Sequence, residues 1–265
     1  MEHALFIVLS PAKKLDTSPT PKGIKGSTPI FGPDIEEMAK TTRKLSLSKV
    51  KSLMKLSDNL AELNFTRFQD FSTPLNSSNS KPAIFSFAGD TYTGFDVGRL
   101  TPEDLSWAQD KLGLLSGFYG LLRPLDWMQP YRLEMGTRLP NPRGANLYAF
   151  WGEKIGRHIE AQLEGHDDPT LVNLASQEYF KATQAAARGI RVVTPIFRDV
   201  KDGKSRTLFL FAKQARGAMA RWAIANRIVR AEDLKGFDER GYTFMPEQST
   251  ETEWVFERDQ PPPKR

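Results

Sequence analysis

The 265-residue chain contains no cysteine and three histidines. Without cysteine there are no disulfides, no thiol nucleophile, no thiol-based peroxide chemistry and no iron–sulfur cluster held by cysteine. The histidines, His3, His158 and His166, stand too far apart for any pair to show metal-ligand spacing. No structural zinc and no cofactor are expected, whereas a magnesium site made of carboxylates would leave no comparable signature. Long apolar runs are missing as well, since none approaches the ~20 residues that cross a bilayer. The apolar stretch at 4–9 is too short for a secretory signal and lacks its cationic front. These absences point to a cytoplasmic protein with no membrane partner.

Acidic residues are scarce in one place. Positions 181–230 hold twelve of the 37 lysines and arginines but two of the 32 aspartates and glutamates, leaving 25 bases against 30 acids elsewhere. The excess positive charge is therefore local. Gathered charges repel one another, so a local excess of +10 is the footprint of a polyanionic partner, with nucleic acid the first candidate. Within this stretch, 211–230 reads as a helix at ~100° per residue. Lys213, Arg216, Ala220, Ala223, Arg227 and Arg230 then form one stripe, expected to face outward. Ala215, Ala218, Met219, Trp222, Ala225 and Val229 form the opposite face, suited to a core. The plainer alternative is the solvated face of a surface helix.

The apolar runs 4–9, 83–87 and 170–174 read as buried strands. A polar loop follows each: Lys13 and Lys14, then Gly89-Asp90-Thr91-Tyr92-Thr93-Gly94, then Ala175-Ser176-Gln177-Glu178. Ligand sites in open α/β sheets gather at the carboxyl ends of strands, so the loops are expected to meet at one cleft, unless they are unrelated surface loops. Helices are expected over 34–45, 48–56, 58–68 and 147–164, and a hairpin of strands over 190–197 and 205–211 with its turn at Asp202-Gly203. The pattern is mixed α and β. One domain over 1–259 is expected, with a disordered proline-rich tail at 260–265 and a polar loop at 75–82.

Thr101-Pro102-Glu103 opens a further helix expected to run to about 112. After it, Gly117 and Gly120 stand three apart around Tyr119 and ahead of Arg123. Two readings stay open: a helix-hairpin-helix offering amides and a cation to a DNA backbone, or glycines that let backbone pack on backbone. Arg123 and Arg132 could clamp phosphate, although pairing with Asp126 and Glu134 is the default.

Several ordered motifs together resemble the bacterial YaaA peroxide-stress family. They are Leu9-Ser10-Pro11-Ala12-Lys13-Lys14-Leu15, the Gly89–Gly94 loop, Leu115-Ser116-Gly117-Phe118-Tyr119-Gly120, Leu122-Arg123-Pro124-Leu125-Asp126, Tyr131-Arg132-Leu133-Glu134-Met135-Gly136, Asn173-Leu174-Ala175-Ser176 with Glu178-Tyr179-Phe180, and Ala212-Lys213 with Ala215-Arg216-Gly217. The resemblance implies a mixed α/β (α+β) fold with a central mixed sheet, flanking helices, a basic cleft and a helix-hairpin-helix-like element. It also implies a role under hydrogen peroxide stress that limits damage linked to free iron, and binding of duplex and branched DNA with little sequence preference.

The leading expectation is thus a DNA-binding protein of the oxidative stress response that protects DNA or assists its repair. Its expected contacts are Lys13, Gly117, Tyr119, Gly120, Arg123, Arg132, Lys181, Lys213, Arg216 and Arg221. The alternative is an enzyme acting on a phosphate-bearing or nucleobase-like small molecule in the polar basic cleft, with Asp90, Glu134, Glu178, Tyr179 and Lys181 as candidate catalytic groups. Direct iron sequestration is less favoured, because no Glu-x-x-His pair or histidine–carboxylate set occurs at the necessary spacing.

Overall fold

The computed structural model describes residues 5–184 and 188–262, so His3 lies outside the described residues. Its centre is an eight-stranded mixed sheet. The strands are β1 (Leu5–Leu9), β2 (Leu112–Ser116), β3 (Gly120–Leu122), β4 (Thr170–Leu174), β5 (Arg191–Lys201), β6 (Lys204–Arg206), β7 (Thr243–Phe244) and β8 (Glu253–Asp259). Their order is β7-β8-β5-β4-β1-β2-β3, with β6 also paired to β5. Neighbours from β2 through β1, β4 and β5 to β8 run parallel. The pairs β2–β3, β5–β6 and β7–β8 are antiparallel. Every residue of β1, β2 and β4 is buried, and because side chains alternate between faces, both faces of the inner sheet are covered.

The helices are α1 (Gly32–Arg43), α2 (Leu47–Met54), α3 (Asp58–Asp70), α4 (Ala83–Ser86), α5 (Asp90–Phe95), α6 (Pro102–Ala108), α7 (Leu147–Trp151), α8 (Lys154–Leu163), α9 (Gln177–Phe180) and α10 (Phe209–Ala225). Local chemistry explains several boundaries. The Ser46 hydroxyl accepts from the Lys49 amide at the start of α2, and Thr101 and Asp104 cap α6 reciprocally. Asp202 and Gly203 take positive φ angles of 51° and 72° between β5 and β6, the pair of left-handed residues that a tight hairpin turn requires.

Elsewhere the expected elements need correction. The run at 83–87 contains helix α4 rather than a strand; the Ala83 and Ile84 amides donate to the Asp126 and Pro124 carbonyls (both 2.9 Å). A short apolar run carries no period that separates these outcomes. Helix α6 stops at Ala108, and the apolar residues beyond it open β2. The helix expected over 147–164 is broken at Gly152, whose φ of +50° ends α7. Strand β6 ends at Arg206, and α10 begins at Phe209 and stops at Ala225, so Arg227 and Arg230 follow the helix instead of extending its stripe.

The segment around Gly117 and Gly120 joins strands β2 and β3, so these residues do not form the hairpin of a helix-hairpin-helix. Their lack of side chains serves packing instead: a Cβ on Gly117 would lie 2.3 Å from the Leu133 carbonyl oxygen, and one on Gly120 would lie 2.7 Å from the Trp151 ring. The expected tail starts with an anchored residue, since the Gln260 amide donates to the Val200 carbonyl (2.8 Å); positions 263–265 lie outside the described residues.

Candidate functional site

Because β1, β2 and β4 are parallel, their carboxyl ends share one edge of the sheet. The chain leaves β1 at Ser10 and passes from β4 through Ala175 to Ser176. The Ser176 amide donates to Ser10 Oγ (2.9 Å), and the Tyr92 hydroxyl donates to the Ser10 carbonyl (3.1 Å). At the end of β2, Ser116 Oγ lies 2.6 Å from the Tyr131 hydroxyl. These bonds knit the three polar loops around one cavity of about 460 Å³. The middle loop arrives from α4 and the short Phe87–Ala88 ladder with Lys14–Leu15, not from a strand of the main sheet. Gly89 turns it with a φ of +122°, setting Asp90 at the cavity wall.

The walls carry five cations, Lys13, Lys14, Arg132, Lys213 and Arg216, and three carboxylates, Asp90, Glu134 and Glu178. Lys13 Nζ lies 2.9 Å from Glu134, and Arg132 lies 3.5 Å from the same carboxylate. Glu178 accepts from the Gly136 amide (2.8 Å). Lys14, Lys213 and Arg216 form no ion pair among the described residues. Arg216 is half-buried, and burial pushes its pKa below the ordinary arginine value. A guanidinium keeps its proton even so, and a desolvated cation without a partner is stabilised by an anion beside it. The buried Arg132 Nε also lacks a hydrogen-bond partner in the structure.

Helix α10 reaches the wall because two glycines let it touch α5 backbone to backbone. A Cβ on Gly94 would lie 1.9 Å from the Gln214 carbonyl oxygen, and one on Gly217 would lie 1.8 Å from that of Thr91. Asp90 and Thr91 are thereby held beside Lys213 and Arg216. The middle of α10 is core: Ala215, Ala218 and Met219 are fully buried, but so are Ala220 and Ala223, which were expected on the outward stripe, whereas Trp222 is half-buried and Ala225 is exposed although both were expected on the buried face. The charged stripe thus shrinks to the first half of the helix.

The chain matches the family model described as "Peroxide stress protein YaaA" over residues 5–248. It is 51% identical over 257 residues to a UPF0246 protein of Caulobacter vibrioides, covering 97% of this chain and 100% of that one. A UPF0246 protein of Ralstonia nicotianae is 50% identical over 255 residues, covering 96% and 99%, and one of Aliivibrio fischeri is 47% identical over 257 residues, covering 97% and 99%. The chain belongs to the YaaA peroxide-stress protein family.

In this YaaA-family chain the expected contact residues divide sharply. Lys13, Arg132, Lys213 and Arg216 line the cleft. Gly117, Tyr119 and Gly120 are buried, and the Tyr119 hydroxyl is spent on Gln129, accepting from its amide (2.8 Å) and donating to its carbonyl (3.0 Å). Arg221 is buried against Glu239. Arg123 is bound to the fully buried Asp126 (2.9 Å) and donates to the Thr28 carbonyl (2.9 Å). Lys181 is not part of the wall; its ammonium sits 5.0 Å from the centre of the Tyr148 ring. Of the candidate catalytic groups, Asp90, Glu134, Glu178 and Tyr179 do line the cleft. Burial raises the Tyr179 pKa, helped by the negative charge of Glu178 and Glu134, so its hydroxyl stays protonated at neutral pH. Ser10, Ser176 and Tyr131 stood in the quoted loops and motifs without a role of their own; the structure gives them one as the hydrogen-bonded groups that join the loops.

The wider basic segment also sorts itself. Arg188 pairs with Glu160 and Glu153, Arg191 with Asp168 and Glu232, Arg221 with Glu239, Arg227 with Asp104 and Arg230 with Asp233. Arg198 is bonded to Gln248. Lys201, Lys204, Arg206, Lys213 and Arg216 have no ion pair among the described residues. Among those residues no three histidines and carboxylates gather as metal ligands would, and no helix is long and apolar enough to cross a membrane.

Proposed function

We propose that this protein binds DNA, duplex and branched and with little sequence specificity, and so limits iron-linked DNA damage or assists its repair during hydrogen peroxide stress. The observation that carries this reading is the run of five unpaired cations between Lys201 and Arg216, whose inner end enters the cleft beside Lys13, Lys14 and Arg132. Such a run repels itself, and a chain of phosphates relieves that repulsion while releasing counterions. Phosphate contacts carry no base information, which fits weak sequence preference. Membership of a peroxide-stress family supplies the setting.

An enzyme acting on a phosphate-bearing or nucleobase-like small molecule has less behind it. Glu134 is engaged by two cations, Glu178 is held by the Gly136 amide, the Tyr179 hydroxyl is locked in its protonated form, and Lys181 stands outside the cleft.

The test is a Lys213→Glu and Arg216→Glu double variant, with Lys213→Glu alone as the control because Lys213 is exposed. Binding to several unrelated duplexes should weaken together, by at least about tenfold, and the dependence on log salt should become shallower by about two units. Unchanged affinity in both variants, with circular dichroism intact, removes α10 from the interface.

A further inference from the structure

Phe209 and Leu210 are 81% and 49% exposed, and Phe209 begins α10. Phe209, Lys213 and Arg216 are spaced i, i+4 and i+7, so they lie on one face of the helix, with the aromatic ring about 6 Å along the axis from the Lys213 position. Lys213 and Arg216 line the cleft. On the other side of Phe209, Lys201, Lys204 and Arg206 from the β5–β6 hairpin share a shallow depression with Leu208. The ring is therefore bracketed by unpaired cations, three before it and two after it, with Asp202 the one acid between positions 201 and 216. Among the described residues nothing covers this ring, and with the exposed Leu210 beside it the helix start presents an apolar spot within the cationic strip.

We propose that Phe209 is a base-stacking residue, taking an unpaired nucleobase at a fork, gap or frayed end while the flanking cations hold the phosphates on either side. This rests on the DNA-binding reading above and adds to it a reason for preferring branched over blunt DNA. An aromatic face accepts any base, so the contact adds affinity without sequence choice. A fully paired duplex away from its ends offers no free base face, and an inserted side chain must first unstack a step. The strip leads into a concave cleft where Lys13, Lys14 and Arg132 add further cations, and a concave wall suits a strand that bends inward better than a flat anionic bilayer.

The experiment compares the full-length protein with Phe209→Ala and Phe209→Trp on three labelled probes: a closed hairpin duplex without free ends, a fork with two single-stranded arms, and single-stranded DNA. Phe209→Ala should weaken fork and single-strand binding about tenfold, leave the closed duplex within about twofold, and be rescued on the fork by Phe209→Trp. Because the ring is exposed, the fold should survive either change. Equal effects on fork and closed duplex, or none on either while both still bind, would overturn the stacking role and leave DNA binding standing. Absence of binding to every probe by the unaltered protein overturns both readings. Vesicles of anionic phosphatidylserine serve as the fourth probe: vesicle binding that depends on Phe209, with an unchanged fork, would make the ring a lipid contact and overturn the proposal.

Discussion

Burial acts on two side chains of this molecule with different consequences. Arg216 keeps its charge in a half-buried setting and so remains a standing demand for an anion. His158 instead favours its neutral form, because burial and then the charge of Arg123 lower its pKa below 6.5. Its ring stands edge-on to Phe31, with centroids 6.0 Å apart. In the unfolded chain the imidazole protonates near its ordinary pKa, whereas the folded state resists. The unfolded state then binds more protons below pH 6.5, so the stabilisation is complete above that value and is lost as pH falls through the depressed folded pKa. Melting temperature should fall between pH 7 and pH 5, and His158→Gln should flatten that slope. An identical slope in the variant would mean that other groups govern acid sensitivity. This behaviour was hidden in the sequence, because the residues that act on His158 are distant from it in the chain: Phe31 just before α1 and Arg123 just after β3.

At the scale of elements, the α5–α10 crossing decides whether a cleft exists. Gly94 and Gly217 are the points of contact, and a methyl group at either would overlap backbone. Gly217→Ala should destabilise the protein by about 2–4 kcal/mol, in the range of severe overpacking, and should weaken DNA binding by moving Lys213 and Arg216 away from Asp90 and Thr91. Chemical denaturation together with binding at a temperature where the variant stays folded separates the two effects. Near-normal stability would show that the helices part without cost. Gly217 was visible in the sequence beside Ala215 and Arg216, but its reason was not, because helical period says which residues share a face and not how near the next backbone comes. Period also failed for Ala220 and Ala223: small apolar residues suit an exposed stripe and a tight crossing equally. By contrast β4 was legible to its ends, since the run Thr170–Leu174 is preceded by Pro169 and followed by the polar loop that starts at Ala175-Ser176. Glycine spacing at Gly117 and Gly120 misled for the same reason as Gly217: an approach of backbone to backbone or ring leaves the same mark as an approach to phosphate.

Over the whole molecule, sequence charge counting overestimated the free charge of positions 181–230. Five of the twelve cations between 181 and 230 are paired with acids that lie outside that window, such as Glu232 for Arg191 and Asp104 for Arg227. Counting within a window cannot see them. What remains is a compact strip from the β5–β6 hairpin down α10 into the cleft, joined there by Lys13, Lys14 and Arg132 from other loops. If the five cleft cations each meet a phosphate, log affinity for duplex DNA should fall against log salt with a slope of about −4 to −5. The most direct measurement is therefore a titration of the purified protein against a labelled duplex over a series of salt concentrations. Binding that weakens with that slope would place the phosphate backbone in the basic cleft, and no measurable binding even at low salt, or binding indifferent to salt, would contradict it.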